Sequence, residues 1–127
     1  MGRSEGVVLI ALGGSAGALI RYLVGEAIPN ASFPWSTFAV NVIGCALLAV
    51  ATSPTRPKTQ QRILGTGFCG GLTTFSTFSV EVATLAREGR SVIAIVYLLA
   101  SVIVGLAAFT LIRRRVQPGP TPPRWPA

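Results

Sequence analysis

The sequence predicts an all-α membrane protein with four transmembrane helices, the third broken near its middle. Three observations carry this. Half of the 127 residues are hydrophobic and 12% are charged, against about 25% charged in soluble domains. Residues 27–55, 63–80 and 91–112 carry no charge, and runs of about 20 largely apolar residues match the hydrocarbon core of a bilayer. Finally, Gly65, Gly67, Gly70 and Gly71, followed by a series of hydroxyls, weaken one of these runs. The length suits one domain. A transmembrane domain is expected over residues 1–116, followed by a tail over 117–127 that holds five prolines, cannot pack and should be disordered.

The first helix is expected over about Gly6–Ile28. Gly13 and Gly17, four apart, form the small-xxx-small pattern that lets helix backbones approach closely. Three more apolar runs follow, so this segment reads as a helix rather than a cleaved signal peptide. Residues Pro29 to Pro34 form a turn, and Pro34 is suited to begin a helix because its missing N–H is not needed there. The second helix spans about Trp35–Ala51, with Trp35 in the interfacial aromatic belt. A polar loop, Ser53–Gln61, leads to the third helix, about Arg62–Arg87. The turn Arg87–Arg90 leads to the fourth, about Ser91–Ile112, which Arg113, Arg114 and Arg115 end at the membrane surface. The alternation expected of a membrane barrel is absent.

A net charge of +7 could suggest nucleic acid. The basic residues lie between and after the apolar runs, however, so orientation in a membrane explains them better, and no nucleic-acid partner is expected. Cys45 and Cys69 lie inside apolar runs, and the sequence has no His. No metal-ligand spacing or nucleophile–base pair can be assembled from them. They read as small buried hydrophobes, and an enzyme is not expected.

The segment Gly65–Glu81 reads GTGFCGGLTTFSTFSVE. Thr73, Thr74, Ser76, Thr77 and Ser79 supply the hydroxyls, interleaved with Phe75 and Phe78. A bilayer tolerates a broken helix only where protein or a water-filled cavity satisfies the freed backbone groups, and such breaks near mid-membrane build ion and substrate sites. The break is expected around Gly70–Thr73. The alternative is that the glycines serve tight packing and the hydroxyls bond backbone carbonyls within the helix. Phe75 and Phe78, at i and i+3, share roughly one face. They either pack, or turn their positive ring edges toward a small anion.

Other polar residues inside the spans are also candidates. Asn41 offers two N–H donors, with Thr37 one turn earlier on the same side. Tyr97 and Ser101 share a face of the fourth helix. Each could serve an ion path or merely bond a neighbouring helix. Arg21 and Glu81 are the ionisable residues deepest in the runs and are functional candidates by default. Arg21 could instead snorkel to the interface, and Glu81 could pair with Arg21 or cap an internal polar site.

From Gly13 to Ser101 the chain resembles the Fluc (CrcB) fluoride channels. The matching stretches are Gly13–Ala18 with Arg21 and Tyr22, Thr37–Phe38 through Asn41 and Gly44, and the highly specific Gly70–Ser79 with Glu81. The resemblance implies a dimer of two antiparallel subunits with two fluoride pores. It implies a fluoride pathway along Asn41, Phe75, Phe78, Thr37, Tyr97 and Ser101, supported by Arg21, Thr74, Ser76, Thr77, Ser79 and Glu81. It further implies a structural sodium ion, not transported, held by the backbone carbonyls of Gly70 and Thr73. The expected role is passive leakage of toxic fluoride out of the bacterial cytoplasm across the inner (plasma) membrane.

Two rivals belong to other classes. A proton-coupled exporter of the small multidrug type would want a carboxylate midway along the first helix, whereas Glu5 and Glu26 lie at its two ends. A non-conducting accessory subunit would not need the pore-like third helix. With four spans, eight basic residues (Arg3, Arg56, Lys58, Arg62, Arg113, Arg114, Arg115 and Arg124) share one side, and only Arg87 and Arg90 the other. That bias predicts cytoplasmic termini. It favours a homologous second subunit of reverse orientation over a homodimer, which stays possible.

Overall fold

A computed structural model describes residues 3–29 and 32–117, and within these it is helical with no strand. The Pro-rich tail from residue 118 lies outside the described residues, as do residues 30 and 31 of the first turn. Helix α1 (Arg3–Ala27) leads to α2 (Trp35–Ala51), a short α3 (Lys58–Gln61), a π-helical segment (Arg62–Cys69), α4 (Gly70–Leu72), α5 (Phe75–Arg87) and α6 (Ser91–Val116). These form four helical runs: α1, α2, a third made of the continuous α3, π-helical segment and α4 together with α5 beyond Thr73 and Thr74, and α6. Helices α1 and α6 are long and apolar enough to cross a membrane, and α2 is a shorter apolar helix.

The helix ends follow from local chemistry. Pro34 precedes α2, and its carbonyl accepts Phe38 N–H at 3.0 Å. The third run begins at Lys58 rather than near Arg62, because Pro57 (φ −56°) already has a helix-compatible φ. Gln61 Nε2 donates to the carbonyls of Ser53 at 3.2 Å and Arg56 at 2.9 Å, closing the loop onto the start of that run. Helix α6 continues one turn past Ile112. Its arginines are good helix formers, and cations suit a helix C-terminus. Gly89, with φ 76°, adopts the left-handed conformation that reverses the chain between α5 and α6.

Packing is arranged in two pairs: α2 lies chiefly against α6, and α1 against the π-helical segment and α4. Glycines make the second pair possible. A Cβ on Gly13 would sit 2.9 Å from the Ile63 carbonyl oxygen, and one on Gly67 2.7 Å from that of Ile10. On Gly17 it would collide with the Phe68 carbonyl oxygen, and on Gly71 with that of Gly14. Backbone therefore packs on backbone. The buried core is small and includes Val40, Ala49, Leu72, Leu85, Ala94 and Tyr97. Large apolar side chains point outward instead, among them Val7, Leu12 and Leu19 on α1 and Val92, Ile95 and Ile103 on α6. A soluble monomer rarely exposes such a surface; hydrocarbon or another apolar partner covers it without penalty.

Candidate functional site

Thr73 (φ −83°, ψ 158°) and Thr74 (φ −147°, ψ 121°) are extended between α4 and α5. They lie at the C-terminal edge of the stretch where a break was expected. Three side chains answer the backbone groups released there. Arg21 Nη1 donates to the Thr73 carbonyl at 3.0 Å. Asn41 holds Thr74 from both sides: its Nδ2 donates to the Thr74 carbonyl at 3.1 Å, and its Oδ1 accepts Thr74 N–H at 2.8 Å. Thr74 Oγ1 in turn accepts Thr77 N–H at 3.2 Å and caps α5. It also donates to Thr77 Oγ1 at 3.0 Å and lies 3.3 Å from Ser76 Oγ. The hydroxyl run is thus largely occupied in starting α5. Ser79 Oγ bonds the Phe75 carbonyl at 2.8 Å within the helix and is exposed.

A cavity of about 380 Å³ opens on this segment. Asn41, Gly70, Thr73, Thr74, Phe75, Phe78 and Ser101 line it. Ser101 Oγ is buried without a hydrogen-bond partner among the described residues. The rings form a row: Phe75 and Phe78 have centroids 6.1 Å apart, and Phe78 lies 5.1 Å from Tyr97. Phe75 is 81% exposed and Tyr97 fully buried.

A second, more polar groove of about 290 Å³ lies against the same extended residues. It collects Arg21, Thr37, Thr77, Glu81, Tyr22 and Glu26, and Thr74 lines both spaces. The Glu81 carboxylate takes one donor on each oxygen: Thr37 Oγ1 at 2.9 Å and Tyr97 Oη at 2.7 Å. The sequence left open whether Glu81 pairs with Arg21. In the structure each has other partners: Glu81 the two hydroxyls, Arg21 the Thr73 carbonyl. Arg21 therefore does more than snorkel.

The residues expected to form one pathway thus divide. Asn41, Phe75, Phe78 and Ser101 share the cavity, Thr37 lines the groove, and Tyr97 links the two by touching Phe78 and bonding Glu81. Gly44, Cys45 and Leu48 also line the cavity and went unremarked as lining residues. With Asn41 they stand at i, i+3, i+4 and i+7, so helical periodicity could have found them. At Gly44, a Cβ would collide with the Thr73 methyl, so glycine there makes room for the extended segment. Cys45 and Cys69 are free thiols. Both border the cavity, Cys69 buried as expected and Cys45 half-buried.

Four helical runs, two of them clearly able to span a bilayer, with polar residues converging on an interrupted helix, define a small helical membrane protein with an internal polar site. The chain belongs to the CrcB family: the family model described as CrcB-like protein, Camphor Resistance (CrcB), matches residues 8–112. It is 50% identical over 103 residues to "Fluoride-specific ion channel FluC 2" of Rhodococcus jostii (strain RHA1), covering 80% of this chain and 90% of that one. It is 41% identical over 104 residues to "Fluoride-specific ion channel FluC 1" of Ligilactobacillus salivarius (strain UCC118), covering 80% and 91%. Against "Fluoride-specific ion channel FluC" of Chlorobaculum tepidum it is 42% identical over 111 residues, covering 81% and 87%.

Proposed function

We propose that this chain is one subunit of a fluoride-selective channel, not an enzyme, that passively releases cytoplasmic fluoride and so limits its toxicity. The observation that carries the reading is the cavity where Asn41, the rings of Phe75 and Phe78 and the unpartnered Ser101 hydroxyl converge. Fluoride is small and strongly hydrated, so a pore must replace its water with donors. The Asn41 amide commits one N–H to Thr74 and keeps the other. Ser101 supplies a hydroxyl, and ring edges supply positive potential without a fixed cation that would trap the ion. Binding stays weak enough for exit. On this reading Thr37, Tyr97 and Glu81 continue the polar path beyond Phe78, and Arg21 contributes positive charge beside the break.

The reading includes a structural sodium ion at Gly70 and Thr73, and the donors fit one. In an unbroken helix Thr74 N–H would bond the Gly70 carbonyl; here it goes to Asn41 Oδ1. The Thr73 carbonyl takes Arg21 on one lone pair and keeps the other. Oxygen donors suit a hard cation, and a bound cation would add positive field near the cavity.

The test is efflux from liposomes holding the purified chain. Fluoride should leave quickly and chloride hardly at all, a cationic drug should not be carried, and replacing sodium with a large organic cation should lower the flux. Phe75→Ala should lower fluoride efflux with little loss of stability, because the ring is largely exposed. Equal fluoride and chloride rates would sink the channel reading.

The reading extends to an antiparallel dimer in a bacterial plasma membrane. The charge bias of the sequence supports cytoplasmic termini and a homologous, oppositely oriented second subunit. Reporters for each side of the membrane, fused to the C-terminus, should signal from the cytoplasm alone. Comparable signal from both sides would favour a dual-topology homodimer.

A further inference from the structure

Arg56 lines an apolar groove at the end of the bundle that holds the α2–α3 loop, and the basic end of α6 packs against that loop. Arg113 Nη1 donates to Thr52 Oγ1 at 2.9 Å, and Ser53 Oγ lies 3.4 Å from the Val116 carbonyl oxygen. These contacts bring the end of α6, with Arg114 and Arg115, beside the loop that carries Arg56 and leads to Lys58 at the start of α3. Arg56 Nε donates to the Val50 carbonyl at 3.1 Å, which orients the guanidinium. Next to it lies a groove of about 200 Å³, lined by Leu47, Val50, Ala51, Leu64 and Phe68, with Arg56 its one charged lining residue. Glu5, in the first turn of α1, is the carboxylate nearest this end in the fold; Glu26, Glu81 and Glu88 lie beyond the interruption.

We propose that this groove holds an acyl chain of an anionic phospholipid whose phosphate is bound by Arg56 and the surrounding basic residues. A fixed guanidinium suits phosphate oxygens, and a juxtamembrane basic cluster attracts anionic lipid. The apolar lining selects a lipid over a free phosphate, which has nothing to place there. The inference does not depend on which ion the protein conducts.

The experiment is native mass spectrometry of the full chain taken from vesicles of equal phosphatidylglycerol and phosphatidylcholine. Phosphatidylglycerol should be retained in preference. Each basic residue near a membrane surface is worth about 1 kcal/mol, so Arg56→Gln should reduce the preference about fivefold. Arg114→Gln with Arg115→Gln, both exposed, should reduce it further and carries the test if Arg56→Gln does not fold. Excess inorganic phosphate should not displace the lipid. Equal retention of both lipids, or displacement by inorganic phosphate, overturns the proposal. So does a Leu64→Cys variant that cross-links to a second copy and retains no lipid, which would assign the groove to a subunit contact.

Discussion

Asn41→Ala is expected to abolish fluoride efflux and to destabilise the protein at the same time. The amide makes two hydrogen bonds to one residue, Thr74, at 3.1 and 2.8 Å. Alanine leaves the N–H and carbonyl of a buried, extended residue unanswered, at a cost of about 1–3 kcal/mol for each group. The chain would recover part of this by extending the helix through Thr74, which would realign Phe75 and Phe78 relative to Ser101. Asn41→Asp separates the two roles. It keeps an acceptor for Thr74 N–H but loses the donor and adds negative charge to the cavity, so it should fold better than the alanine variant while conducting fluoride no better. Unfolding followed by circular dichroism in detergent, with efflux from liposomes, reads both quantities. Normal flux in a folded Asn41→Asp variant would remove Asn41 from the ion path and leave it a purely structural clamp.

Gly71→Ala should be among the most damaging single-methyl additions in the chain. Its Cβ would collide with the Gly14 carbonyl oxygen and lie 2.8 Å from the Gly14 carbonyl carbon. Backbone cannot swing aside as a side chain can, so α1 and α4 would have to separate along their contact. Overpacking typically costs about 1–3 kcal/mol and occasionally more; a backbone-on-backbone clash belongs at the upper end. Gly17→Ala faces the Phe68 carbonyl oxygen in the same interface and should behave alike. Gly25→Ala is the control. Nothing lies within 4 Å of its Cβ position, so the change should fall within about 0.5 kcal/mol of the parent. Denaturation midpoints of the three variants in one detergent decide the matter. Equal midpoints for Gly71→Ala and Gly25→Ala would show that the α1–α4 contact is loose.

Much of the architecture was legible because hydropathy is local. A charge-free apolar run declares a span wherever it lies, and Trp35, Pro34 and the terminal arginines mark helix ends through their own chemistry. The glycines and hydroxyls of 65–79 showed where the helix is weak for the same reason: propensity belongs to each residue. Partners between distant parts of the chain were not legible. That Arg21 reaches Thr73 across 52 positions, and that Thr37 and Tyr97 divide the Glu81 carboxylate between them, depends on how helices cross. Sequence spacing ranks residues along one helix but not between two. The same limit explains why Thr37 and Asn41, one turn apart on α2, border different spaces. Only the packed structure decided that Thr73 and Thr74 are the extended pair, because that outcome rests on an asparagine from another helix satisfying Thr74 while Gly44 leaves room for Thr73. Composition made the third helix breakable; the tertiary contacts determined where it opens and which groups face the opening.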